Sequence, residues 1–394
     1  MDPLRNPYQP GAGVRPPELA GRDDDLSIVD VTLQRTELGY AERGVVWHGL
    51  RGVGKTVLLN EVASRARDRR WLVSKAEAVG DRSTLLPGLT RSLYQGLRAA
   101  MGTHDVGRLR RLLGVFKSFS VTVDPTGTYT FGVEVDATRG HADSGDAATD
   151  LTDLLRELGS TARELGVGAL LVVDELQDAP ARELAAINRA IHDSGQGDNP
   201  LPTLLMGAGL PSLPGILAEA TSYAERLYNY RAVGPLDDQA AEQALNRPAE
   251  SLGVTWSAEA LDITRAATSG YPYFLQTAGR SIWNLAKGSP IDAEDAAAGL
   301  VAAREEIDVG LYLSRWSRAT AAQRRMMRAM AGHGDGVQIA IAELAREMGM
   351  RRSTDLSVSR DQLIKKGLVY APDRGLLAFT VPGIANYIQR QPDD

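Results

Sequence analysis

Gly49-Leu-Arg-Gly-Val-Gly-Lys-Thr56 sets Gly49 and Gly54 around four intervening residues, with Lys55 and Thr56 directly behind them. That order suits the holding of phosphate groups. Glycines let the backbone curl until successive N–H groups face phosphate oxygens. A helix starting behind the loop adds its positive end. The lysine ammonium then reaches β- and γ-phosphates, and the Thr56 hydroxyl is offered to Mg²⁺. The candidate nucleotide contacts are therefore Gly49, Leu50, Arg51, Gly52, Val53, Gly54, Lys55, Thr56 and Val57. Arg51 either touches phosphate or is simply solvated, and the sequence alone favours solvation. His48 reads as a packed strand-end histidine.

A second cluster, Leu170-Leu-Val-Val-Asp-Glu175, ends an apolar run with two carboxylates. An acid leaving a buried strand beside a phosphate loop can hold the water shell of Mg²⁺, the role expected of Asp174. Glu175 can orient and deprotonate an attacking water. Gln177 and Asp178 read as surface or capping residues.

These residues need a scaffold, and the pattern supplies one. Gly44-Val-Val-Trp-His48, Trp71-Leu-Val-Ser-Lys75, Ala169-Leu-Leu-Val-Val173 and Pro202-Thr-Leu-Leu-Met206 are short apolar runs of the kind that form buried parallel strands. A last strand is expected at Arg231-Ala-Val-Gly-Pro-Leu236. Helices are expected over 24–38, 57–67, 83–117 and 148–165. Strands alternating with helices predict an α/β fold with a covered parallel sheet over residues 21–235. Ser120-Val-Thr-Val-Asp and Tyr129-Thr-Phe-Gly-Val-Glu-Val135 alternate around Pro125-Thr-Gly127, which predicts a hairpin insertion at about 118–136. Residues 1–20 hold five prolines and read as an arm. Residues 236–316 read as an all-helical module. Residues 317–394 read helix, helix, helix, then two strands around Asp373-Arg-Gly375, a winged helix-turn-helix pattern.

Composition narrows the chemistry. The chain has 394 residues and no cysteine, which excludes disulfide scaffolds, thiolate metal sites and cysteine nucleophiles. Its five histidines are scattered. No apolar run is long enough to span a membrane and none follows Met1, so a cytoplasmic protein without membrane contact is expected. Net charge is −6, yet residues 318–390 carry 12 Lys/Arg against 6 Asp/Glu, a basic module on an acidic body.

Taken together, these motifs resemble AAA+ ATPases of the origin-recognition/initiator-like type, at the border with STAND signalling ATPases. The resemblance covers nearly the whole chain as nucleotide domain, helical lid and winged helix. It implies binding and hydrolysis of ATP with Mg²⁺, and nucleotide-dependent assembly into a homo-oligomer. Pro16-Pro-Glu-Leu-Ala-Gly-Arg22 resembles the box that wraps adenine in that family, making Tyr8, Leu19, Gly21 and Arg22 candidates; an arm packed on the sheet edge is the alternative. The strand tip that carries a polar γ-phosphate sensor in the family reads Gly207-Ala208-Gly209 here, which implies weak hydrolysis or sensing by backbone or a nearby residue. Arg226 resembles an arginine finger acting across a subunit interface, or is a surface ion-pair residue. Pro272 resembles the lid proline of STAND relatives, and Arg280 is a candidate second sensor.

The basic module has two readings. Arg351 and Arg352 enter the expected recognition helix, Lys365 and Lys366 end it, and Arg374 sits at the wing tip, an arrangement suited to the phosphates of double-stranded DNA. Asp361 on the outward face would repel phosphate, and winged helices also dock proteins. The two functions that follow are an ATPase in a DNA-associated assembly, of replication or mobile-element type, and a STAND-like signalling or defence ATPase.

Overall fold

The computed structural model describes residues 1–78, 85–102, 106–123, 142 and 144–392. Its centre is a five-stranded parallel sheet of β1 (Gly44–His48), β2 (Leu72–Glu77), β3 (Ala169–Asp174), β4 (Thr203–Gly209) and β5 (Tyr228–Ala232), ordered β2-β3-β4-β1-β5. Both faces are covered, so the central strands are apolar on both sides. Leu170 and Val172 join one core with Val45, Trp47 and Met206, closed by α1 (Asp23–Glu37) and α2 (Lys55–Asp68). Leu171 and Val173 join the other, closed by α3 (Leu85–Ala100), α4 (Val106–Val123), α5 (Ala147–Leu165) and α6 (Ala181–Ser194). The short α7 (Leu213–Ala220) and α8 (Ala224–Leu227) lead into β5.

Three sequence expectations change here. The 83–117 helix is two helices, α3 and α4. The first arm of the expected hairpin, through Val123, is the end of α4; the rest of that hairpin lies outside the described residues. The reason is packing. Leu109, Leu112, Leu113, Phe116 and Phe119 recur at helical spacing and are all at most 2% exposed, which overrides the β-propensity of the Val/Thr run. The last strand is Tyr228–Ala232 rather than 231–236. It is an edge strand, buried at Tyr228 and only half-buried over Asn229–Arg231, so it lacks the continuous apolar run of a central strand.

The lid helices are α9 (Asp238–Glu250), α10 (Ala258–Thr268), α11 (Pro272–Leu285) and α12 (Ala293–Ile307). Tyr8 of the N-terminal arm is 2% exposed in the centre of their core. It stands edge-on to Trp256 and Trp283, with its hydroxyl accepting from Trp256 Nε1 at 3.0 Å and donating to the Leu245 carbonyl. It is a core residue of the lid and not an adenine contact. The arm then runs to α2, where Asn60 Nδ2 donates to the Gly13 carbonyl at 2.9 Å, and so fastens lid to nucleotide domain.

Beyond α12 come a π-helical turn (308–313) and α13 (Ser314–Ser317), then α14 (Ala321–Ala331), β6 (Ile339–Ala340), α15 (Ile341–Glu347), a 3₁₀ turn (353–356), α16 (Ser357–Lys365), β7 (Val369–Tyr370), β8 (Leu376–Phe379) and α17 (Ile384–Gln389). β6, β8 and β7 form an antiparallel sheet in that order. Tyr312 and Trp316 already belong to this module's core, beside Met326, Leu344, Leu363 and Leu377.

Candidate active site

The loop leaves β1 at the carboxyl end of the sheet, where parallel α/β sheets hold ligands. Gly49 has no room for a side chain: a Cβ there would lie 2.0 Å from the Val233 carbonyl oxygen. Gly54, at φ +92°, makes the turn into α2. Lys55 reaches back over the loop and donates to the Gly49 and Leu50 carbonyls, both at 2.8 Å. Burial pulls its pKa down to about 8 against the opposing pull of Glu175 and Asp174. His48, half-buried beside Lys55, is likewise lowered, first by burial.

From outside, Arg22 clamps the loop. Its Nη2 donates to Val53 O at 3.0 Å and Gly234 O at 2.8 Å, joining the loop to the strand that leads into the lid. Leu19, Arg22 and Pro272 all line a cleft of about 580 Å³ with Lys55, Thr56, Asp174 and Glu175. Gly21 does not. At φ +66°, with a Cβ position 2.7 Å from Ala240 Cβ, it is the close approach of the arm to α9.

The carboxylates meet the loop across β4. Thr56 Oγ1 donates to Asp174 Oδ2 at 2.6 Å, and the Glu175 N–H donates to Asp174 Oδ1 at 2.9 Å. This pair of hard oxygens fits a divalent cation that keeps most of its waters. Glu175 itself is held in the left-handed region, φ +50° and ψ +40°, a conformation that costs on the order of 1–3 kcal/mol without glycine. Its Oε1 pairs with Arg51 Nη1 at 2.7 Å, and its Oε2 accepts from Gln177 Nε2 at 2.6 Å.

Two expectations are thereby corrected. Arg51 is not a solvated loop residue; it is an ion-pair partner of Glu175. Gln177 is not a surface residue; its Oε1 also accepts from the Leu210 N–H at 3.0 Å, so one amide bridges Glu175 to the end of β4. The bare Gly207-Ala208-Gly209 tip follows from this. A Cβ at Gly209 would lie 2.2 Å from Gln177 Oε1, and one at Gly207 2.2 Å from Leu176 Cδ1. The polar group at the tip comes from the neighbouring turn. Asp178, in the same turn, has its pKa raised by burial and by Glu175.

The cleft is roofed by the lid and the C-terminal module. Tyr273 N–H donates to Gly52 O at 3.3 Å, and Arg51 N–H donates to Thr380 O at 3.0 Å. Leu50 packs against Leu210, Tyr370 and Ala378. A Cβ at Gly367 would stand 3.4 Å from Arg51 Nη2. No sequence motif marks these contacts, because a backbone carbonyl and a small residue carry no signature.

The remaining candidates lie elsewhere. Arg280 is turned away from the cleft and paired with Glu306, which corrects its reading as a second sensor. Arg226 is exposed on α8, ahead of the amino end of β5 and thus at the opposite end of the sheet from its own loop. Arg351, Arg352, Lys365 and Arg374 are all exposed on the C-terminal module. Lys366 is engaged internally, donating to Arg318 O and Gln323 Oε1 at 2.7 Å each.

Residues 18–205 match the family described as AAA ATPase domain, and residues 309–388 match a domain of unknown function. No curated protein matches the chain. Among solved structures, the Walker-type ATPase of Pyrococcus abyssi is 15% identical, with 95% of this chain and 97% of that one covered at a TM-score of 0.57. The ORC2 protein of Aeropyrum pernix, solved as ADPNP and ADP complexes, is 16% identical, with 96% of each chain covered at a TM-score of 0.51. At these identities the likeness is one of fold, and it extends over all three parts of the chain. The family match spans the phosphate loop and the acidic pair that the fold brings into contact, so residues 18–205 of this chain are an AAA ATPase domain.

Proposed function

We propose that this ATPase is a nucleotide-dependent switch whose moving part is the C-terminal module. The observation that carries this reading is the double engagement of Arg51. Its side chain holds Glu175 Oε1 at 2.7 Å while its backbone N–H holds Thr380 O at 3.0 Å. With one oxygen taken up by a guanidinium and the other by an amide, the carboxylate is not free to accept a hydrogen bond from an attacking water. Glu175 becomes a base only when Arg51 turns toward phosphate, and that turn strains the contact with the module. Hydrolysis and module position are then coupled through one residue.

In this scheme Lys55 exchanges the Gly49 and Leu50 carbonyls for β- and γ-phosphate oxygens. Thr56 and Asp174 would hold Mg²⁺, which supplies charge neutralisation on the phosphates when bound. Glu175 takes the proton of the attacking water. Leu19, Arg22 and Pro272 bound the cleft away from Glu175. Residues 1–20 act as the arm, 21–235 as the nucleotide domain, 236–316 as the lid and 317–394 as a winged helix.

The docking contact provides the test. Ala378 faces Leu50 and Leu210, whereas its neighbours Leu377 and Phe379 face the module's own core. Ala378→Asp therefore weakens docking and spares the module. Burying an unpaired polar group costs about 1–3 kcal/mol in proteins, about 5- to 150-fold in the docking equilibrium. Steady-state ATP turnover is expected to rise severalfold with ATP affinity within about threefold of the parent. Turnover at the parent rate would make the module a passive scaffold.

For the output of the switch, double-stranded DNA is the reading favoured by the exposed Arg351, Arg352, Lys365 and Arg374 and by the +6 charge of residues 318–390. These cations flank α16, whose first turn presents Val358, 69% exposed, and whose middle carries the Arg360–Asp361 pair. That surface suits phosphate contacts more than base reading. Replacing Arg351, Arg352 and Arg374 by alanine should flatten the salt dependence of DNA binding by about three phosphates, a change in log–log slope of roughly 2.7. An intact protein that binds no DNA at low salt would leave a protein partner, met by Val358 and Met350, as the output. Arg226, out of reach of its own loop, fits a role at the nucleotide of a neighbouring subunit in a homo-oligomer.

A further inference from the structure

Arg315 faces the nucleotide cleft from α13, the short helix between lid and C-terminal module. Its surroundings do not suit a resting cation. Among the described residues it has no carboxylate partner. Nη1 donates to Leu311 O of its own turn at 3.1 Å, and Nε is buried with no partner. After burial itself, the groups that most disfavour its charge are two more cations, Arg51 and Arg318. Arg51 Nε is also buried and unpartnered, and Lys55 lines the same cleft. Guanidinium does not shed its proton in proteins, so such a cluster calls for an anion.

The cleft has two ends. Leu19 and Ala244 belong to the arm and α9, whereas Arg51 ties the other residues together: it pairs with Glu175 at 2.7 Å, its N–H donates to the Thr380 carbonyl beside Val381, and it is the cation acting most strongly on Arg315. Glu175 marks the end where the phosphate under attack must sit. We propose that Arg315 contacts the terminal phosphate of ATP in cis, on the same chain, and distinguishes ATP from ADP. This rests on the reading of Gly49–Thr56 and Glu175 as the nucleotide site. Trp316, the next residue, is 6% exposed in the core of the C-terminal module. A contact made by Arg315 is therefore passed directly to that module. When hydrolysis removes the terminal phosphate, the tie is lost.

The test is calorimetric, on the full chain with Mg²⁺, comparing ADP with the slowly hydrolysed analogue ATPγS. Arg315→Ala should weaken ATPγS by about 10- to 150-fold, the range for a charge-assisted hydrogen bond, and ADP by less than about threefold. Arg315→Lys should recover part of the loss. Arg315→Gln gives the same comparison should alanine unfold the hinge. An unchanged ratio of the two affinities overturns the proposal. Lys55→Ala serves as the separate control. If it loses both nucleotides while Arg315→Ala keeps the parent ratio, only the role of Arg315 fails; if it loses neither, the site reading fails.

Discussion

Lys55→Ala is expected to remove ATP binding from the measurable range. Lys55 trades its internal partners, the carbonyls of Gly49 and Leu50, for phosphate. Truncating one partner of a buried, hydrogen-bonded charge pair costs about 2–5 kcal/mol, roughly 30- to several-thousand-fold in affinity. The depressed pKa adds a pH signature. Bound phosphate restores the charge that burial opposes, so affinity should be level below pH 8. Above it, affinity should fall by up to about tenfold per pH unit as the unliganded lysine loses its proton near pH 8. The stability of the unliganded protein runs the other way. Between about 8 and the ordinary lysine value of 10.5, the unfolded chain binds the extra proton, so Lys55 contributes stability that rises with pH across that window. Titration calorimetry from pH 7 to 9.5 checks the first. Parent-like affinity in the alanine variant would remove Lys55 from the site.

Glu175→Gln should leave ATP bound and uncleaved. The amide keeps the volume and can still meet Arg51 or Gln177, but it cannot take a proton from water. A loss of 10²- to 10⁴-fold in turnover is the usual order for such a group. ATP affinity should be at least that of the parent, since losing the carboxylate frees Arg51 for phosphate and removes no phosphate contact. The variant also tests for assembly. If Arg226 serves the next subunit, mixing Glu175→Gln with Arg226→Ala should recover activity that neither has alone, because one interface then pairs an intact base with an intact arginine. Turnover at the parent rate in Glu175→Gln would mean that another group accepts the proton.

The ATPase domain was legible because its signals are local. A glycine pattern states a backbone path, an apolar run states a buried strand, and acids at the end of such a run state which edge of the sheet they leave. Gly49–Thr56 and Asp174–Glu175 needed only that much, and the fold brings Thr56 Oγ1 to within 2.6 Å of Asp174 Oδ2. Local propensity failed where packing competed with it. Residues 120–123 carry the Val/Thr composition of a strand, yet they continue a helix whose leucines and phenylalanines were already committed to the core. The edge strand β5 was misplaced for the opposite reason, since a half-buried strand with Asn229 and Arg231 among its five residues has too few apolar residues to see.

What the sequence determined by itself is therefore the chemistry: a phosphate loop, an acidic pair and a basic terminal module. What only tertiary structure decided is how that chemistry is restrained. Arg51 and Glu175 are 124 positions apart, and no spacing rule relates them. Gln177 replaces a missing side chain on a different strand. Thr380 meets the loop through a carbonyl oxygen, and Arg315 enters the cleft from a helix whose neighbour Trp316 is packed in another core. Each contact joins groups by distance in space and not by order along the chain. The last two also involve atoms or positions with no residue-type signature, so their pairing is fixed only once the sheet, the lid and the C-terminal module have packed together.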